Sequence, residues 1–232
     1  MNSTWLKRLG AASGALYVVL AFLKNDGSSS PNFQASQQEI ITWAKSVQLT
    51  PTFWIGPYVG LLGLLFFLVF VAYLSSVLSR AEGEFGWLSA AAFGSGIVTV
   101  VVKLAAFPVA ATAVARAADG FNPQVLGILW DMDNIALFIT LATQAFLLAA
   151  AAIVIIRAKA LPAWLGWSAA VFSLALLGTL PLAFFNSLPI QLLPMAWVLV
   201  TSIVLVIRAG KPIAYLQSPK TQRSEAQPVG AE

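Results

Sequence analysis

Two polar intrusions into apolar sequence are the parts of this chain that could do chemistry. Lys103 interrupts the run Val100-Val-Val-Lys103-Leu-Ala-Ala, and Trp130-Asp131-Met-Asp133-Asn134 opens the next apolar segment. A lysine can hold an anionic group, an Asp-x-Asp can hold a divalent cation with a diphosphate, and side-chain amides such as Asn134 and Gln191 can orient either. An ammonium placed in the middle of a bilayer costs about 2.5 to 3.5 kcal/mol on the insertion scale, so it calls for a carboxylate, water or a ligand. Three readings stay open: a structural Lys103–Asp133 pair, a lysine snorkelling to the headgroups, and a ligand or proton site.

Spacing assigns faces to these groups. Ser95, Thr99 and Lys103 recur every four residues, and Asp133, Thr140 and Gln144 are seven and four apart, so each set forms one stripe on a helix. Asp131 falls roughly opposite Asp133 at about 100° per residue. Asp133 is therefore the acid expected to face inward, and Asp131 the one expected to reach the headgroups. Acids that diverge on a regular helix make a poor cation site, and a nearby Lys103 opposes the raised pKa that an acid catalyst needs. No catalytic residue and no metal ligand is assigned.

The elements that must carry these groups are membrane helices. The chain is 59% hydrophobic and 9% charged with a mean hydropathy of +0.84, whereas soluble domains carry roughly a quarter charged residues. The net charge of +4 forms no stripe and sits between apolar spans, so topology explains it and nucleic acid is not a partner. With no Cys and no His, disulfides, thiolate nucleophiles, His-ligated haem, iron–sulfur clusters and Cys/His zinc sites are excluded, and no cofactor is called for.

Hydropathy and length predict an all-α bundle of six transmembrane helices within a single domain, 1–209, with spans at about 9–23, 52–79, 87–114, 125–156, 162–185 and 189–208. The polar segment 24–51 is an external loop, and 210–232 reads as a disordered cytoplasmic tail. Span 9–23 could be a signal peptide, but no polar cleavage region separates its core from Ala21, so a retained helix is expected. Within the loop, Ser36-Gln-Gln-Glu39 has capping-box spacing ahead of Ile40, Trp43, Ala44 and Val47, which predicts a short amphipathic helix on the membrane surface. A packed loop helix is the alternative. Basic residues concentrate on one side of the six-span arrangement (Lys7, Arg8, Arg80, Arg157, Lys159, Arg208 and the tail), so both termini are expected in the cytoplasm.

With that orientation, Pro57, Pro108, Pro181, Pro189 and Pro194 all fall towards the external side, as do Lys103, Asp131, Asp133, Asn134, Asn186 and Gln191. A proline inside a helix leaves the carbonyl four residues earlier without its donor: Leu104, Leu177 and Ile190 for Pro108, Pro181 and Pro194. In lipid such carbonyls are tolerated only beside protein or a water-filled cavity. The expected site is thus an outward-facing crevice lined by Lys103, Asp133, Asn134 and Gln191, with Trp54 and Tyr58 as aromatic walls. Gly10/Gly14 and Gly56/Gly60 are small-xxx-small pairs that would allow close helix approach, including approach by a second copy.

The Phe85-Gly-Trp87-Leu-Ser89 and Leu165-Gly-Trp167-Ser168 starts of the third and fifth spans suggest a parallel repeat, or equally a shared aromatic belt. The Arg80-Ala-Glu-Gly83 turn and the Leu161-Pro-Ala-Trp-Leu-Gly-Trp167 segment, with the short first span and Trp-containing loop, resemble uncharacterised multi-spanning membrane proteins of actinobacteria. That resemblance implies a bacterial plasma-membrane location and no activity. On chemistry, a protein binding a small amphiphile or lipid headgroup comes first. A membrane enzyme acting on an isoprenoid or glycolipid, or a proton-coupled transporter subunit, is the alternative.

Overall fold

The computed structural model describes residues 3–23, 35–46, 55–83, 86–118, 122–181 and 188–209. They form seven helices and, among the described residues, no strand: α1 (Ser3–Leu23), α2 (Gln37–Ser46), α3 (Ile55–Glu82), α4 (Trp87–Ala118), α5 (Pro123–Ala158), α6 (Ala163–Thr179) and α7 (Leu188–Arg208). Five of them, α1, α3, α4, α5 and α7, contain stretches long and apolar enough to cross a membrane. This is a membrane-embedded, multi-pass helical protein. The fifth expected span, 162–185, is described only as the 17-residue α6 followed by a tight turn at Leu180–Pro181. At 1.5 Å per residue α6 is about 26 Å long, short of the roughly 30 Å hydrocarbon core.

Apart from α2, the helices pack in a closed order: α1 on α3, α3 on α4, α4 on α5, α5 on α6, α6 on α7, and α7 back on α1. α5 also reaches across to α3 and α7, which makes it the most enclosed helix. Its alanine run explains this, since Ala145, Ala150, Ala151 and Ala152 are buried and keep neighbouring backbones close. Phe67, Phe70, Val71, Leu74 and Leu78 of α3 belong to the same core and are all nearly fully buried.

Glycines set three of the contacts. A Cβ on Gly14 would meet Phe70 Cδ2 at 2.5 Å, one on Gly10 would meet Tyr73 at 2.9 Å, and one on Gly96 would collide with Val71. Pairing 10 with 73 and 14 with 70 makes α1 and α3 antiparallel. It also means that the Gly10/Gly14 face, expected to be available to a second copy, is filled by α3 of the same chain. Pairing continues around the ring, so Ser3 and Arg208 lie at one end of the bundle. That end carries Lys7, Arg8, Arg80, Arg157, Lys159 and Arg208, and is called the basic end below.

Local chemistry fixes the turns at this end. The Glu82 carboxylate accepts from the Leu88 and Ser89 backbone N–H groups at 3.0 and 2.9 Å and from the Ser89 hydroxyl at 2.6 Å. It thereby serves the otherwise unpaired donors at the start of α4. Lys159 ends α5 in the left-handed region, φ 51°, where a non-glycine residue is uncommon. Pro181 follows the end of α6 at Thr179, in the short turn Leu180–Pro181.

At the opposite end α2 forms close to its expected bounds, but its apolar face meets protein. Ile40 and Trp43 pack on Trp130, and Ile41 and Trp43 on Leu126 and Ala113. α2 thus spends its apolar stripe on α4 and α5. The tail 210–232 and most of the loop 24–51 lie outside the described residues.

Candidate functional site

The α4–α5 hairpin carries most of the polar groups singled out above. Its register is fixed by the Thr99 and Thr143 hydroxyls, 2.7 Å apart. Thr99 Oγ1 is also 3.0 Å from the Ser95 carbonyl and Thr143 Oγ1 3.0 Å from the Thr140 carbonyl. Each hydroxyl has one proton, so two protons serve three contacts and one threonine must give to the other. Of the α4 stripe Ser95–Thr99–Lys103, Thr99 therefore faces α5, where it meets Thr143.

The α5 stripe Asp133–Thr140–Gln144 turns towards the middle of the bundle. Thr140 is buried, its hydroxyl donating to the Ala136 carbonyl at 2.7 Å. Gln144 lines a small cavity of about 10 Å³ together with Tyr17 of α1, Phe67 of α3 and Pro194 and Met195 of α7. Such a volume sits at the lower edge of what one water needs. Tyr17 and Phe67 stack beside it with ring centroids 4.8 Å apart. Pro194 lies inside α7 and takes away the donor of the Ile190 carbonyl one turn earlier, as its position in the sequence implies. Towards the basic end the buried side chains of Phe70, Leu74 and Leu78 close the bundle.

Along α5, Asp133, Thr140 and Gln144 thus form one column. Asp133 stands about 10 Å above Thr140, and Gln144 about 6 Å below it, at 1.5 Å per residue. Asp133, Asn134 and Lys103 are half-buried, and neither Lys103 nor Asp133 is without a partner. The Asn134 amide donates to the Trp130 carbonyl of its own helix at 3.1 Å. Trp130 is covered by Trp43 of α2, with ring centroids 4.6 Å apart and planes at 57°. Gln191, also half-buried and partnered, precedes the cavity residue Met195 by one helical turn.

No family model, curated protein or solved structure matches this chain.

The remaining expected site residues fall elsewhere. Tyr58 is 61% exposed on α3. Trp54, Asn186 and the side chain of Pro189 lie outside the described residues. Asp131, expected to reach outwards, is half-buried like Asp133. Among the described residues no group of three or more Asp or Glu side chains could hold a metal ion. Tyr17, Met195 and Thr143 were not foreseen. Thr143 sits one residue off the Gln144 stripe, and Tyr17 lies in an apolar run where nothing but its phenol sets it apart.

Proposed function

We propose that this protein binds a small amphiphile or lipid headgroup at the α2 end of the bundle, in a polar pocket built from Lys103, Asp133, Asn134 and Gln191. The observation that carries this reading is the α5 column. Asp133, Thr140 and Gln144 share a face that descends from the α2 end to a cavity beside the broken rung of α7, above the buried side chains of Phe70, Leu74 and Leu78. Polar groups so placed in a membrane helix are expensive unless they meet protein, water or ligand. Lys103 would meet the anionic group of the ligand, the amides would orient it, and the apolar helices would hold its tail. α2, seated on Trp130 next to Asp131 and Asp133, would cover the opening.

In this reading six spans place both termini in the cytoplasm of a bacterium, in keeping with the basic end. The resemblance to uncharacterised actinobacterial membrane proteins adds no activity. Any self-association would use the Gly56/Gly60 face, since Gly10 and Gly14 are taken.

The test is native mass spectrometry with lipid extraction of the purified protein. Wild type is expected to carry an amphiphile that Lys103→Met loses while keeping its helical circular dichroism. If Lys103→Met instead abolishes expression and the double variant Lys103→Met/Asp133→Leu restores it, the two residues are a strut and the reading is wrong.

A further inference from the structure

At the basic end, α4 and α6 flank α5 and leave a lateral groove of about 570 Å³, within the range of ligand sites. Its floor is small because α5 presents Ala149 and Ala152 there. Leu88 of α4 and Leu174 of α6, the latter 71% exposed, form its sides. At its mouth stand two residues of different character, Trp87, 64% exposed at the first turn of α4, and the exposed guanidinium of Arg157 in the last turn of α5. From Ala149 to Arg157 the groove follows α5 for about 12 Å.

An apolar groove in a bilayer has no hydrophobic reason to prefer one occupant, because lipid tails are as apolar as its walls. Preference must come from the polar mouth. Arg157 offers a planar fork of donors that matches a phosphate, and an indole such as Trp87 settles at headgroup depth. The field at this end has one sign. Lys7, Arg8, Arg80, Arg157, Lys159 and Arg208 stand against Glu82 among the described residues, and the Glu82 carboxylate is already occupied by the start of α4.

We propose that this groove is a binding site for an anionic phospholipid, with one acyl chain lying over the alanines of α5, the phosphate on Arg157 and Trp87 beside the headgroup. This inference is independent of the amphiphile pocket at the α2 end, with which it shares no residue.

The full-length protein in detergent is titrated with phosphatidylglycerol or phosphatidylcholine of identical chains, and bound lipid is read by native mass spectrometry. Wild type is expected to prefer phosphatidylglycerol by about five- to tenfold, the scale of one basic residue near a membrane surface. Arg157→Gln, at an exposed position, removes the preference. Arg80→Gln, a basic-end cation outside the groove, keeps it, and so does Lys103→Met. Ala149→Phe fills the floor and lowers occupancy by both lipids while Arg157 remains, with helical circular dichroism unchanged. Equal loss in Arg80→Gln and Arg157→Gln would show a diffuse surface charge and overturn the site. So would an undiminished preference in Arg157→Gln, or a lipid-free dimer that Ala149→Phe dissociates, which would make a second copy the occupant.

Discussion

Some buried side-chain donors tie helices together, and the Thr201 hydroxyl has no such role. Ser202 of α7 bridges one rung of α1, donating to the Ala11 carbonyl and accepting from the Ala15 N–H at 3.0 Å. Ser173 of α6 likewise donates to the Ala145 carbonyl of α5 at 2.8 Å, and the Trp197 indole N–H of α7 donates to the Leu165 carbonyl of α6 at 3.1 Å. Thr201, next to Ser202 and fully buried, has no partner for its hydroxyl among the described residues. A buried hydroxyl without a partner costs about 1 to 3 kcal/mol. Thr201→Val should therefore stabilise the protein by about 1 kcal/mol, raising the thermal unfolding midpoint in detergent by about 2 to 4 °C. A lowered midpoint would mean that the hydroxyl holds a water. Ser202→Ala should act in the opposite sense by about 1 kcal/mol, because α1 can close its own rung but loses the tie to α7.

At the scale of elements, glycine decides which helices touch. Gly96→Ala puts a methyl into the Val71 side chain at the α3–α4 contact, where both residues are buried. Overpacking of this kind costs about 1 to 3 kcal/mol, read as a lowered midpoint. Gly94→Ala, which meets nothing within 4 Å, is the matched control and should be neutral or slightly stabilising. α2 is held differently. The Ser36 backbone N–H donates to Glu39 Oε2 at 2.6 Å and the Glu39 N–H donates to Ser36 Oγ at 3.3 Å, the reciprocal capping box that the spacing foretold.

The Ser36 backbone bond first, and its hydroxyl second, hold the Glu39 carboxyl below the ordinary glutamate range. A depressed folded pKa means that the stabilisation is present above the unfolded value, about 4.3, and is lost as pH falls through the folded value. Lowering the pH below about 4 should loosen the start of α2, seen as a change in the near-ultraviolet dichroism of the Trp43–Trp130 pair. That acid transition should be absent in Glu39→Gln, and Trp43→Phe should remove the signal.

For the whole molecule, closure of the ring makes α1 part of the fold. Deleting residues 3–23 would strip Phe70, Tyr73 and Ser202 of their neighbours, and the remaining helices should fail to yield monodisperse protein in detergent, as size-exclusion chromatography would show. Much of this architecture was legible beforehand. Apolar length fixes that a chain such as 55–82 or 123–158 is a helix in a membrane, because no other element satisfies its backbone there. Helical phase likewise placed Thr140 and Gln144 on one inner face, and three-residue capping-box spacing located α2.

The amino-acid sequence by itself therefore determined the class of protein, the bounds of most helices and the polar stripes, since these depend on local periodicity and on the cost of bare polar groups in lipid. Which stripe meets which partner was decided only by tertiary packing. Phase shows where a face points on its own helix, but not which neighbour fills it. So Thr99 found Thr143, Gly10 and Gly14 found α3 rather than another copy, and α2 turned its apolar face to Trp130. The groove ending at Arg157 arises in the same way, from three helices that lie far apart in the sequence and meet only in the fold.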